Sequence, residues 1–235
     1  SSSAASDVYK RQGSIDGVTF YRNAEGHFVR MAGGVSKSRI MNDSAFARTR
    51  ENISEFGNNA KAAKLLRDAM GALVKNAKDS RTSNRLMQLF NKVKNLDTVS
   101  PRGQRKISIA LEDPVAKNFL QKFDFNKRAQ LSNVLRRTFD LDPSAGTFAI
   151  NAFVPVQDLL KPDGATHATV IYAALGLDFD TAESDLVQAL PVNFALDNVP
   201  QELSLSLDLP DTLPSVFQLL LIEFFQEVNL SLIHI

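Results

Sequence analysis

Hydrophobic and polar positions follow two periods along this chain, and the switch between them comes near the middle. Residues 18–21 and 27–31 are short strand-type runs separated by Asn23, Ala24, Glu25 and Gly26, a spacing that predicts a β-hairpin with glycine in its turn. Gly33 and Gly34 break the pattern, and Asn42, Asp43 and Ser44 supply helix N-cap chemistry before Ala45. Phe46, Ile53 and Phe56 then recur at helical spacing. After Gly57, residues 60–77 read as a strongly amphipathic helix. Ala63, Leu66, Met70, Leu73 and Ala77 share one face, and Lys61, Lys64, Arg67, Lys75 and Lys78 gather on the other. Leu86, Leu89, Phe90 and Val93 form the stripe of a third helix over residues 82–96. A short helix is predicted from Pro114, with Asp113 as cap and proline where its missing N–H costs nothing.

From residue 123 the period is two. Phe148, Ile150 and Ala152 alternate, as do Leu203, Leu205, Leu207 and Leu209 with Ser204, Ser206 and Asp208 between them. Residues 166–179 and 217–228 are longer apolar runs, suited to central strands covered on both faces. Pro or Gly marks the turns at 143–146, 162–164, Pro200, Pro210 and Pro214. Short, regularly spaced strands with such punctuation predict an antiparallel sandwich. The expected fold class is therefore α+β: a hairpin plus helical module over 13–122, then a β-sandwich of immunoglobulin or fibronectin type over 123–229.

Composition narrows the chemistry. With 235 residues and no Cys, the chain has ample length for a core but no disulfide, thiolate zinc site or cysteine nucleophile. No apolar run reaches bilayer length. The formal charge of +1 hides a division. Residues 13–137 hold 24 basic and 11 acidic side chains, whereas residues 138–229 hold Lys161 against 14 acidic ones. Such asymmetry, +13 against −13, points to two parts with different surroundings or partners.

The two ends read as translated sequencing adapter. Residues 2–12 back-translate as the common transposase adapter, and residues 230–235 as the reverse complement of its inner end, whose next codon is a stop. On this reading residues 1–12 are adapter-derived and disordered, 230–235 are adapter-derived, and 13–229 are natural and open at both ends. A partner strand for 217–228 is then expected beyond Asn229, leaving an unpaired edge in this fragment. Any leader upstream of Gly13 is out of view, and the cytoplasm is the favoured location.

Few residues suggest catalysis. Residues 33–38, GGVSKS, follow a strand, but a phosphate loop needs glycine where Ser36 and Met31 stand, so a turn into a helix is the better reading. Asp178, Asp180, Glu183 and Asp185 miss the glycine and glutamate of a calcium loop, where Glu183 and Ala189 fall, and read as a solvated acidic turn. His27 and His167 have no second histidine nearby in sequence and no triad around them. No catalytic residue, metal ligand or cofactor is predicted, and an enzyme is the weakest class. An enzyme would require His167 beside several carboxylates in a pocket. The strongest candidate is a basic interaction face: Arg48, Arg50, Lys61, Lys64, Arg67, Lys75, Lys78, Arg81 and Arg85. It suits phosphate contacts by counterion release, although lysine-rich helix faces are usually only solvated. No helix-turn-helix, RNA-recognition or zinc pattern accompanies it. The acidic half offers a competing partner, in the same chain or a neighbour. The expected function is thus a non-enzymatic structural or interaction protein working by self-association or docking; the alternative is a nucleic-acid-binding accessory protein.

Six stretches carry a resemblance: GVTFY at 17–21, AFARTREN at 45–52, EFG at 55–57, AKLLR at 63–67, RGQR at 102–105 and FFQEVN at 224–229. The chain resembles an uncharacterised family of short Bacteroidota proteins over most of residues 13–229. The resemblance implies a short missing N-terminal segment and one or two further strands after Asn229. It implies no activity.

Overall fold

The structure is a computed structural model that describes residues 13–15, 17–23, 25–31, 33–121, 123–229 and 231–234; the segment expected to be adapter-derived and disordered, 1–12, lies outside them. Two compact units divide the chain, Ser1–Glu51 and Asn52–Ile235.

In the first unit β1 (Gly13–Ile15), β2 (Val18–Asn23) and β3 (Gly26–Met31) form an antiparallel sheet in that order, with the expected hairpin between β2 and β3. Gly26 sits at φ 134, a conformation that favours glycine. The GGVSKS stretch ends as a helix cap: the Ser36 hydroxyl accepts the Arg39 amide at the start of α1 (Lys37–Asn42). Asp43 Oδ1 accepts the Ala45 amide at 2.9 Å and opens a single 3-10 turn. The Arg50 guanidinium then binds the Ile40 and Asp43 carbonyls at 2.7 and 2.8 Å, closing the end of α1.

The next helix, α2 (Ala47–Met70), runs straight through Gly57 and stops at Gly71, whose φ is 52; α3 (Ala72–Ala77) resumes beyond it. The amphipathic stretch over 60–77 is therefore two helices with a glycine joint. Ala63, Leu66 and Met70 are buried as expected, but toward the N-terminus the inward stripe continues through Glu55 and Asn59. Ile53 and Phe56, which recur at helical spacing, are 55% and 57% exposed. Leu86, Phe90 and Val93 of α4 (Thr82–Val93) are buried as the sequence predicts. Two short helices, α5 (Ile107–Ala110) and α6 (Pro114–Leu120), follow; Asp113 caps the second by accepting the Val115 amide at 2.8 Å.

After α7 (Leu131–Val134) come β4 (Asp140–Asp142), β5 (Thr147–Phe153), α8 (Pro155–Asp158), β6 (His167–Leu177), β7 (Ser184–Gln188), β8 (Val192–Ala195), β9 (Gln201–Ser206), β10 (Ser215–Val228) and β11 (Ser231–His234). The larger sheet runs β11-β10-β6, with β7 and β8 both pairing β6 along its other edge. A second sheet, β4-β5-β9, curls into a half-barrel. A register shift in β5, with Ala152 at φ 48, turns Phe153 inward instead of Ala152, so the predicted alternation ends at Ile150.

Directly opposed residues in an antiparallel pair share a face. Leu175, Leu177, Phe217 and Leu219 point to the helices and join Leu66, Met70, Leu86, Phe90 and Val93 in one core. Ala168, Val170, Tyr172, Leu220, Ile222 and Phe224 point the other way, onto Phe148, Ile150, Leu203 and Leu205 of the small sheet. Phe90, Phe179 and Phe217 stack edge to face at 6.1 and 6.2 Å, linking α4 to β10. The layers are helices, larger sheet and curled sheet, which is α+β. The change of period at residue 123 falls inside the second unit, and both of its cores use the larger sheet.

Candidate functional site

The predicted basic face divides. Arg48 and Arg50 belong to the first unit, where Arg48 lies 4.0 Å from Glu51 and Arg50 binds the two carbonyls described above. Arg85 is also inward: it binds Asp79 at 2.8 Å and the carbonyls of Asp124 and Phe125, and lies over the Phe123 ring. Arg50 and Arg85 thus tie down backbone carbonyls, whereas Arg48 stays exposed. Lys61, Lys64, Lys75, Lys78 and Arg81 are exposed, with Lys64 3.8 Å from Asp68. The joint at Gly71 brings Arg67, Lys75 and Lys78 around one open groove of about 580 Å³, together with Asp68, Val74 and Ser83. Arg67 donates to the Ser83 hydroxyl. So three of the nine predicted cations converge on a concave surface.

A buried polar centre went unpredicted. Glu55, 3% exposed, accepts Lys94 Nζ at 2.6 Å and the Gly103 amide at 2.8 Å, with Arg105 Nε at 3.9 Å. Burial pushes its carboxyl up, but the hydrogen bonds from Lys94 and Gly103 and the two cations outweigh this, so its pKa lies below the ordinary value. Beside it Asn59 donates to Asn91 at 2.8 Å, and Arg102 donates to Asn52 at 3.3 Å. Asp97 is buried as well and accepts the amides of Val99, Ser100 and Lys106, closing the loop that carries Gly103. The EFG and RGQR stretches, whose Glu55 and Gly103 are 48 positions apart in the chain, thus meet at one carboxylate. Their separate appearance in the sequence is the signal that could have found this centre. With its oxygens committed to neighbours, Glu55 is a clamp and not a reactive group.

The edge of the larger sheet holds an apolar strand that is only partly buried. β6 is covered on both faces, with Ala168, Val170, Tyr172, Ala174, Leu175 and Leu177 at 2% exposure or less. Its neighbour β10 has no fully buried residue, although Phe217, Leu219, Leu220, Leu221, Ile222 and Phe224 fall in it. The reason lies in the pairing. β10 pairs β6 from Ser215 to Phe225, but β11 pairs only Phe225 to Val228. Among the described residues, 215–224 have no strand on the side away from β6. The expected central strand has a strand on each side only at Phe225 and is an edge over residues 215–224. The strand that pairs with β10 over Phe225–Val228 is β11, Ser231–His234, which falls in the stretch read above as adapter-derived.

The other candidates stay apart. His167 Nδ1 contacts the Thr166 hydroxyl at 3.0 Å and lies 4.0 Å from Glu227. His27 is in the first unit's hairpin. Asp178 is held by its own turn, accepting the amides of Asp180 and Thr181, which lower its pKa; Asp180 pairs with Lys106 at 2.9 Å. Among the described residues no group of three or more His, Asp or Glu could hold a metal ion, and no helix is long and apolar enough to cross a membrane. No family model, curated protein or solved structure matches this chain.

Proposed function

We propose that this chain is a non-enzymatic structural or interaction protein that acts by docking, through self-association or a protein partner, at the edge of β10. The ten-residue apolar edge carries the proposal. Soluble proteins blunt such edges with charge, proline or bulges, whereas residues 215–224 contain one charged side chain, Glu223, and no proline. Strand addition satisfies the outward N–H and C=O groups and covers the partly exposed side chains in one step. The charge division plays a smaller part than its size suggests. The basic helices and the acidic strands already share an apolar core, with the Lys106–Asp180 pair crossing between them. The facing antiparallel sheets support a sandwich reading of the β region; the curled sheet and the helix-covered face depart from the immunoglobulin- or fibronectin-like form. A labelled peptide carrying residues 215–223 between lysine flanks tests the edge. It should bind the full chain, and Val216→Lys, at a position 42% exposed, should abolish binding while leaving the melting temperature nearly unchanged. No binding to the native chain overturns the proposal.

The groove formed by Arg67, Lys75 and Lys78 favours a second reading, an accessory protein that binds nucleic acid. Gel shifts of the full chain with duplex and single-stranded DNA and RNA across a salt series decide it. A binder loses affinity steeply as salt rises, and absence of any shift at low salt removes the reading.

A further inference from the structure

We infer that the groove at the Gly71 joint seats the phosphodiester backbone of a nucleic-acid duplex, held by Arg67, Lys75 and Lys78 without reading base sequence, an inference that rests on the nucleic-acid reading above.

Positive charge in the groove is uncommitted. The side chains of Lys75 and Lys78 are exposed and make no ion pair or hydrogen bond among the described residues. Arg67 spends Nη1 on the Ser83 hydroxyl, which fixes the guanidinium and leaves Nη2 with no acceptor among the described residues. Asp68, the carboxylate in the lining, lies 3.8 Å from Lys64 and is balanced by it. Three cations against one paired carboxylate attract an anion. On an ordinary solvated helix face such charges stay spread out. Here α2 and α3 meet at a break, and their cations border one concavity of about 580 Å³.

The middle of the groove is bare backbone. Gly71, at φ 52 and ψ −120, holds a conformation that side chains disfavour, and nothing stands within 4 Å of where its Cβ would be. An anion can approach the main chain there, with Arg67 before it and Lys75 and Lys78 after it in the chain.

The rest of the lining selects the ligand. A volume of about 580 Å³ is far more than a lone phosphate fills, so a run of phosphates is the fitting ligand. Proteins that hold single strands stack bases on aromatic rings, and no aromatic residue lines the groove. Its one apolar side chain, Val74, is too little to hold a base. Groups able to read a base edge are engaged with neighbours, Asp68 with Lys64 and Ser83 with Arg67. What remains is a set of cations, which contact backbone phosphate and carry no sequence information.

Fluorescence anisotropy of a short fluorescein-labelled DNA duplex with the full chain tests this across about 50 to about 200 mM salt. Three phosphate contacts give a slope of log K against log salt of about −2.7, a roughly 40-fold loss over that range, for any duplex sequence. Lys75→Gln and Lys78→Gln should each reduce the slope by about 0.9, and the double variant should retain about 0.9. Both residues are exposed, so the variants should keep the native circular dichroism spectrum. Lys117→Gln, at an exposed lysine outside the groove, should leave the slope unchanged. Three results would each overturn the inference while the nucleic-acid reading stands: slopes indifferent to the groove lysines, tighter binding of a single strand of the same sequence, or a preference among duplex sequences. Displacement of the duplex by inorganic phosphate beyond that by chloride at equal ionic strength would also overturn it, in favour of a lone phosphate. If no nucleic acid binds even at about 50 mM salt, both fail.

Discussion

Replacing Glu55 by glutamine keeps the shape of the buried centre and removes its charge. The amide oxygen can still accept the Gly103 N–H, but an NH₂ now faces Lys94 Nζ, donor against donor. Lys94 is left 15% exposed with one remaining acceptor, the Asn95 carbonyl oxygen of the side chain at 2.9 Å. A hydrogen bond to a charged group contributes about 1.5–3 kcal/mol, and breaking a buried ion pair costs about 3–5 kcal/mol. Because Asn95 and some solvent remain for Lys94, the expected loss is about 2–4 kcal/mol. A domain of this size drops about 2–4 °C per kcal/mol, so the melting temperature should fall by roughly 4–16 °C. Acid titration gives a second readout. The pKa of Glu55 is depressed in the folded state, so its contribution is complete above the unfolded value, about 4.3, and is lost as pH falls toward the folded value. Urea unfolding followed by circular dichroism should therefore show a constant native–variant difference above about pH 5.5 that narrows on acidification. A variant within about 0.5 kcal/mol of native at pH 7, or a difference that does not narrow in acid, refutes the clamp.

Further outcomes follow from other contacts. Phe90→Ala, at a position with no exposure in the core shared by helices and sheet, should cost about 3–5 kcal/mol and lower the helical and β signals in one transition; two separated transitions would contradict the shared core. Gly146→Ala should destabilise the β4–β5 turn, because φ is +64 and the new Cβ would stand 2.5 Å from the Leu207 carbonyl oxygen; an unchanged urea midpoint would count against this geometry. Asp79, whose pKa is lowered first by the Lys127 amide and further by Arg81, Thr82 and Arg85, stabilises the fold above its ordinary value of about 3.9. Asp79→Asn should flatten the acid limb of the stability profile, and an unaltered limb would exclude that role.

Local rules account for much that was legible beforehand. The β2–β3 hairpin, the Asp113 cap, the stripe of α4, the two long strands and their α+β class all follow from residues within a turn or two of one another. Candidate chemistry was harder to read. A list of nine cations says nothing about direction, and only packing turned Arg50 and Arg85 inward and drew Arg67, Lys75 and Lys78 around the Gly71 joint. Glu55 and Asn59 look solvent-facing on any hydropathy scale. They lie inside because their partners, Gly103, Lys94 and Asn91, come from chain more than 30 residues away.

The sequence alone thus determined several of the secondary elements, the absence of thiol chemistry and the charge division, since each depends on residue type or short-range spacing. Tertiary structure decided which apolar strand became covered. β6 and β10 have similar hydrophobic runs, and periodicity cannot tell them apart. β6 has strands on both sides along most of its length, whereas β10 has β6 on one side and β11 over four residues of the other. Whether a strand is central or an edge is a property of its neighbours, set by topology and register, and no local pattern encodes it.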